Sequence, residues 1–150
     1  MSVIQFNLRV YGLLVNEKEE ILLSDECRFG HFFTKFPGGG IEFGEGIIDT
    51  LKREFKEELN AEVTDASFLY VNDFFQGSKF QEDQQIISFY YLVKVASHDF
   101  LGLEKYTTPF YSTGEKNRWV AIESLTERDM SFPIDKKALL ALKDKFCIVS

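Results

Sequence analysis

Three carboxylates stand close together in this chain: Glu54, Glu57 and Glu58 lie at i, i+3 and i+4. On a helix that spacing projects them along one edge. Their surroundings read as a helix. Ile47, Ile48, Leu51, Phe55 and Leu59 recur at helical spacing over residues 46–59 and form one apolar stripe. Pairing for stability alone would place Lys or Arg four residues on. Here Glu54 is followed at that distance by Glu58, and Glu58 by Glu62. Like charges so placed cost a few tenths of a kcal/mol, roughly, for each pair. A hard divalent cation reverses that sign, because Mg²⁺ takes carboxylate oxygens and completes its shell with water and substrate phosphates. A bare E-x-x-E-E also suits a solvated acidic face. The Pro37-Gly38-Gly39-Gly40 run just upstream favours the metal reading, since it predicts a tight turn whose backbone groups lie beside the acids.

The spacing resembles the Nudix box, G-x5-E-x7-R-E-U-x-E-E-x-G-U with U a bulky aliphatic residue. Gly39 opens it, Glu45 follows, and then come Arg53, Glu54, Phe55, Glu57 and Glu58. Asn60 replaces the last glycine and Ala61 the last aliphatic residue. Asn is the next best residue for a left-handed helix end. Every acidic position is intact.

The resemblance implies hydrolysis of a nucleoside diphosphate linked to another moiety, with Mg²⁺ or Mn²⁺ as cofactor. It implies Glu54, Glu57 and Glu58 as ligands, with a backbone carbonyl of Gly38 or Gly39. It implies that Arg53 pairs with Glu45 and holds the loop on the helix, away from the ligand edge and clear of substrate. Many members take a further acid from the loop before a Trp-bearing strand. Glu115, four residues before Trp119, occupies that region, with Glu104, Glu82 and Asp83 as alternatives. Arg9, Arg28, Phe36 and Phe74 are taken as substrate contacts; Phe32, Phe33 and Phe110 are further aromatic candidates, although aromatics in strands are usually core. His31 reads as a solvated loop residue. Two rival classes remain: a Nudix-like domain that senses a nucleotide without cleaving it, which would be expected to lose box acids, and an interaction domain whose acidic helix is only a soluble face.

The chain has 150 residues, a length that suits one domain with a sizeable core, and the expectation is a single Nudix domain over residues 1–150. A net charge of −7 counts against a broad grip on nucleic acid, which needs a basic face, but not against a small phosphorylated substrate. Cys27 and Cys147 make no zinc pattern and read as free thiols. No stretch is apolar enough to span a membrane, and no leader is seen, so the expected location is the cytoplasm. A homodimer is left open.

The elements that must position these residues follow from periodicity. Residues 3–15 and 20–24 read as strands forming a hairpin, and residues 25–35 as a loop. After the box helix, residues 66–75 read as a strand and 76–84 as a turn. Residues 85–95, apolar on both faces, read as a central strand. Residues 98–116 read as a long connection, 119–122 as a short strand and 134–146 as a closing helix. This order predicts a mixed sheet flanked by helices. The resemblance narrows it to the Nudix α/β/α sandwich.

Overall fold

The computed structural model describes residues 2–97 and 104–147. Strand β1 (Gln5–Leu14) is the axis of the fold. Its alternate residues enter two different cores. Tyr11 and Leu13 join Ile134, Ala138, Leu139 and Leu142 of the closing helix, whereas Val10 and Leu14 join Leu51, Phe55 and Leu59 of the box helix. A strand that is apolar on both faces needs a helix over each, which is the physical content of the α/β/α sandwich.

The strands make two sheets. A mixed sheet has the order β4 (Gly38–Gly40), β1, β6 (Gln84–Val95), β5 (Val63–Val71), with β1 and β6 parallel. An antiparallel sheet has the order β3 (His31–Lys35), β2 (Glu20–Arg28), β7 (Gly114–Ala121). The box helix is α1 (Ile47–Leu59) and the closing helix α2 (Pro133–Cys147). Strand β6 is interior, as its two apolar faces require.

Several expectations are corrected. Strands β1 and β2 do not form a hairpin; they share only the bridge Val15–Ile21, and β2 leaves for the other sheet. Residues 25–35 are not a loop but most of a hairpin, closed by Phe29 and Gly30, both at positive φ. Two such residues match the right-handed twist of the flanking strands. The glycines of the box are not a free turn either: Gly38, Gly39 and Gly40 pair antiparallel with Tyr11, Val10 and Arg9. Strand β7 takes up the end of the expected connection, so Glu115 lies in a strand opposite Glu26. Residues 98–103 fall outside the described residues, as does the side chain of Cys147. Cys27 is a buried free thiol. Among the described residues no helix is long and apolar enough to cross a membrane.

Helix α1 ends as the box substitution predicts. Asn60 is left-handed (φ 52°, ψ 36°), and the Ala61 N–H reaches back to the Phe55 carbonyl. Ala61 is fully buried in the α1 core. Lys56 Nζ donates to Asn60 Oδ1 at 2.8 Å on the exposed surface. In Asn60→Gly the relief of left-handed strain and the loss of this contact and of chain stiffness nearly cancel. The expected unfolding free energy is within about 0.5 kcal/mol of the parent. A urea titration showing a loss well beyond that would give the Asn60 side chain a larger role.

Candidate active site

The edge of α1 is tied to the strand before it by one guanidinium. Arg53 donates from Nε to Glu45 Oε2 at 2.7 Å and from Nη2 to Glu45 Oε1 at 3.0 Å, and Nη2 also reaches the Gly40 carbonyl at 3.1 Å. Thr50 Oγ1 and the Glu42 N–H also donate to Glu45. Arg53 above all, with these donors, brings the Glu45 carboxyl down to about 2. The stability this bond contributes is therefore present above the ordinary carboxylate range and is lost as pH falls toward 2.

Arg53 also corrects the expectation that it stands away from the ligand edge. Its Nη1 donates to Glu54 Oε1 at 3.0 Å and to Glu57 Oε2 at 3.3 Å. It supplies the positive charge that the carboxylate spacing lacks at i+4. Glu54 is largely covered, and it rests on Gly39: a Cβ at Gly39 would lie 2.5 Å from Glu54 Oε1. That contact puts the box glycine and the first box carboxylate side by side. Glu57 is more open, at 59% exposure. Glu58 is held up to about 8, chiefly by burial of its carboxyl, opposed by Lys35 and reinforced by Glu115 and Glu54.

These donors are hard oxygens of the kind Mg²⁺ and Mn²⁺ take. Among the described residues no three acidic, His or Cys side chains form a group that could hold a metal ion by themselves. Mg²⁺ does not need such a cage, since it commonly uses one or two carboxylates with waters and substrate phosphates. The donor chemistry fits the cation.

Facing this edge, the three-stranded sheet carries a polar row on one face: Ser24, Glu26, Lys35 and Glu115, which strand register places on the same side as Leu22 and Trp119. Ser24 Oγ donates to Glu115 Oε1 at 2.6 Å, and Lys35 Nζ lies 3.4 Å from the same oxygen. On the opposite face the buried Asp25 accepts from Thr34, Tyr106 and Arg118, one residue from each of three segments, and so locks the sheet. Lys35 was not among the residues singled out from the sequence. Its signal was available: in the strand ending Phe33-Thr34-Lys35 it shares a face with Phe33.

Beside this row is a cleft of about 220 Å³. Arg9 and Arg28, both expected at substrate, do line it. Arg9 donates to the Tyr11 hydroxyl, and Arg28 lies over the rings of Phe33 and Phe80, 5.9 and 5.1 Å from their centroids. The aromatic expectation is corrected. Phe36 is fully buried, edge-on to Tyr90, and Phe74 packs against the α2 core; neither lines the cleft. The aromatic wall is Phe33, Phe80 and Phe132, which pack on one another. Phe32 and Phe110 pack together outside it.

At the cleft floor Asp135, in the first turn of α2, is 3% exposed and accepts a hydrogen bond from the Tyr90 hydroxyl. Burial raises its carboxyl to about 6 against the opposing effects of Tyr90, Lys35 and Arg9. The folded protein thus binds this proton more tightly than the unfolded chain does. Its contribution to stability is full below pH 4 and is lost as pH rises through about 6. Asp135→Asn keeps an acceptor for Tyr90 and removes that loss, which from the shift is on the order of 3 kcal/mol at neutral pH. Urea unfolding between pH 4 and 7 should show a flatter profile for the variant; an unchanged slope would place the ionisation elsewhere.

A family model, the NUDIX domain, matches residues 5–142. The chain belongs to the NUDIX family, and the class so defined is that of the Nudix hydrolases, which cleave nucleoside diphosphates linked to a further moiety. Solved structures agree in fold. A NUDIX hydrolase from Nitrosomonas europaea superposes with TM-score 0.69 at 17% identity, covering 93% of this chain and 89% of its own. The E. coli ORF135 protein gives 0.67 at 18%, covering 94% and 91%. A structure from a study of MutT from Aliivibrio salmonicida and Vibrio cholerae gives 0.61 at 22%, covering 90% and 98%. At these identities the likeness is one of fold. A search of curated proteins found no match.

Proposed function

We propose that this Nudix enzyme hydrolyses the diphosphate linkage of a nucleotide-type substrate with Mg²⁺ or Mn²⁺, held by Glu54, Glu57, Glu58 and a carbonyl of Gly38 or Gly39. The bound cation would neutralise phosphate oxygens and lower the pKa of the attacking water. Glu45 and Arg53 keep the glycine strand on the helix, so that the carbonyl and carboxylate donors share one edge. Glu115, oriented by Ser24, takes the proton of the attacking water. The cleft receives the nucleoside, its base against Phe33, Phe80 and Phe132, with Arg9 and Arg28 as polar contacts. The observation that supports this reading most directly is the seat of Glu54 on Gly39 inside the Arg53 clamp. The buried free Cys27 suits a reducing compartment, the cytoplasm.

The test is a panel of (d)NTPs, ADP-ribose, nucleotide sugars and dinucleoside polyphosphates, assayed with Mg²⁺ and Mn²⁺ and with products identified. Turnover that requires metal and rises toward alkaline pH is expected. Full turnover in excess chelator, or no product from any compound, would reject the reading.

A further inference from the structure

We propose that Lys35 is a substrate-binding residue that grips the diphosphate on the side away from the box carboxylates. This rests on the hydrolase reading above. The side chain is 9% exposed, yet it spends its donors poorly. Among the described residues its one hydrogen bond is the 3.4 Å contact to Glu115, and Glu26 stands at 3.8 Å. An ammonium has three N–H donors, and charge-assisted bonds close to about 2.7–2.9 Å when a lysine serves only to hold structure. Burying such a group is expensive unless it is well paired. A buried cation with slack partners at the wall of a cleft is therefore a group held ready for another anion.

Its position says which anion. Lys35 lines the cleft, and its charge is felt both by Glu58 on α1 and by Asp135 on α2. It stands between the two helices, where the chain of phosphates must pass from a nucleoside seated in the cleft to the metal-binding edge. The carboxylates near it oppose the burial effect and hold the ammonium charged, its pKa above the ordinary lysine value. Strand pairing with Ser24, at the end of the β2–β3 hairpin, fixes where the backbone that carries that charge sits.

The experiment is calorimetric binding of imidodiphosphate, a non-hydrolysable diphosphate, in the presence of Mg²⁺, with adenosine as a ligand that has no phosphate. Wild type, Lys35→Met, Lys35→Arg and the double variant Lys35→Met with Glu115→Gln are compared, each checked for folding by thermal melting. Lys35→Met should weaken imidodiphosphate about 10- to 100-fold, the range of one charged hydrogen bond, and leave adenosine unchanged. Lys35→Arg should recover most of the loss. The double variant should stay weak. Wild-type affinity in Lys35→Met overturns the proposal. So does recovery in the double variant, which would mean that the lysine only neutralises Glu115, and so does an absence of imidodiphosphate binding by wild type. Steady-state turnover separates the two readings. If wild type hydrolyses a compound of the panel and Lys35→Met does so with unchanged KM and kcat, Lys35 is excluded and the hydrolase stands. If wild type hydrolyses nothing but binds imidodiphosphate through Lys35, the site stands and the hydrolase reading fails.

Discussion

Glu58→Gln is expected to lower kcat by at least about a hundredfold and to weaken Mg²⁺ binding, while the protein stays folded. Outer-shell partners of metal ligands already cost about 10- to 100-fold when removed, so a ligand itself should cost no less. Gln keeps the size of the side chain but cannot ionise to the carboxylate that a bound cation would draw out. Burial, with Glu115 and Glu54 beside it, already disfavours a charge on Glu58, so a neutral amide suits the metal-free site and the melting temperature should hold or rise. Glu115→Gln gives the contrast. Its carboxylate is engaged by Ser24 and Lys35 on the opposite sheet, so this variant should slow turnover with less effect on metal affinity. Metal titration, turnover and melting on the three proteins decide the matter. Near-normal turnover in Glu58→Gln would remove Glu58 from the metal site; a silent Glu115→Gln would remove only the proposed base.

Gly38→Ala is expected to have the largest effect on stability. Gly38 has φ +151°, and a Cβ there would lie 2.2 Å from the Val10 carbonyl oxygen and 2.7 Å from Tyr11 Cα. Both obstacles are backbone of the central strand, which cannot swing away as a side chain can. Adding backbone strain to steric overlap gives a loss of roughly 4 kcal/mol. The same change displaces the glycine strand that Arg53 ties to α1, so activity should fall with stability. Urea unfolding measures the first and turnover the second. A variant with parental stability would show that residues 38–40 do not pair with β1 in the observed register.

Much of the site was legible because it is local. Glu54, Glu57 and Glu58 meet through the pitch of one helix, and Glu45 meets Arg53 across one short connection. The left-handed Asn60 was legible for the same reason, since a helix end is decided by its own last turn. Strand β6 could be recognised as interior because its residues are apolar on both faces.

The rest depended on pairings between distant segments. Residues 25–35 read as a loop because Glu26, Arg28 and His31 are polar; in the sheet Glu26 and Arg28 alternate with Cys27, His31 alternates with Phe32, and the β7 partners of Glu26 and Cys27 lie far along the chain. Phe33 and Phe36 are nearly adjacent and alike in chemistry, but one lines the cleft and the other is sealed under Tyr90. Lys35 and Glu115 lie 80 residues apart, and only the register of β3, β2 and β7 brings them to 3.4 Å. By itself, then, the sequence determined the acidic helix edge, its clamp and its cap, whose geometry is set by neighbours within a few residues. Tertiary structure alone decided the cleft, its aromatic wall and its buried lysine, because side-chain facing in a sheet has a period of two and is set by strand register.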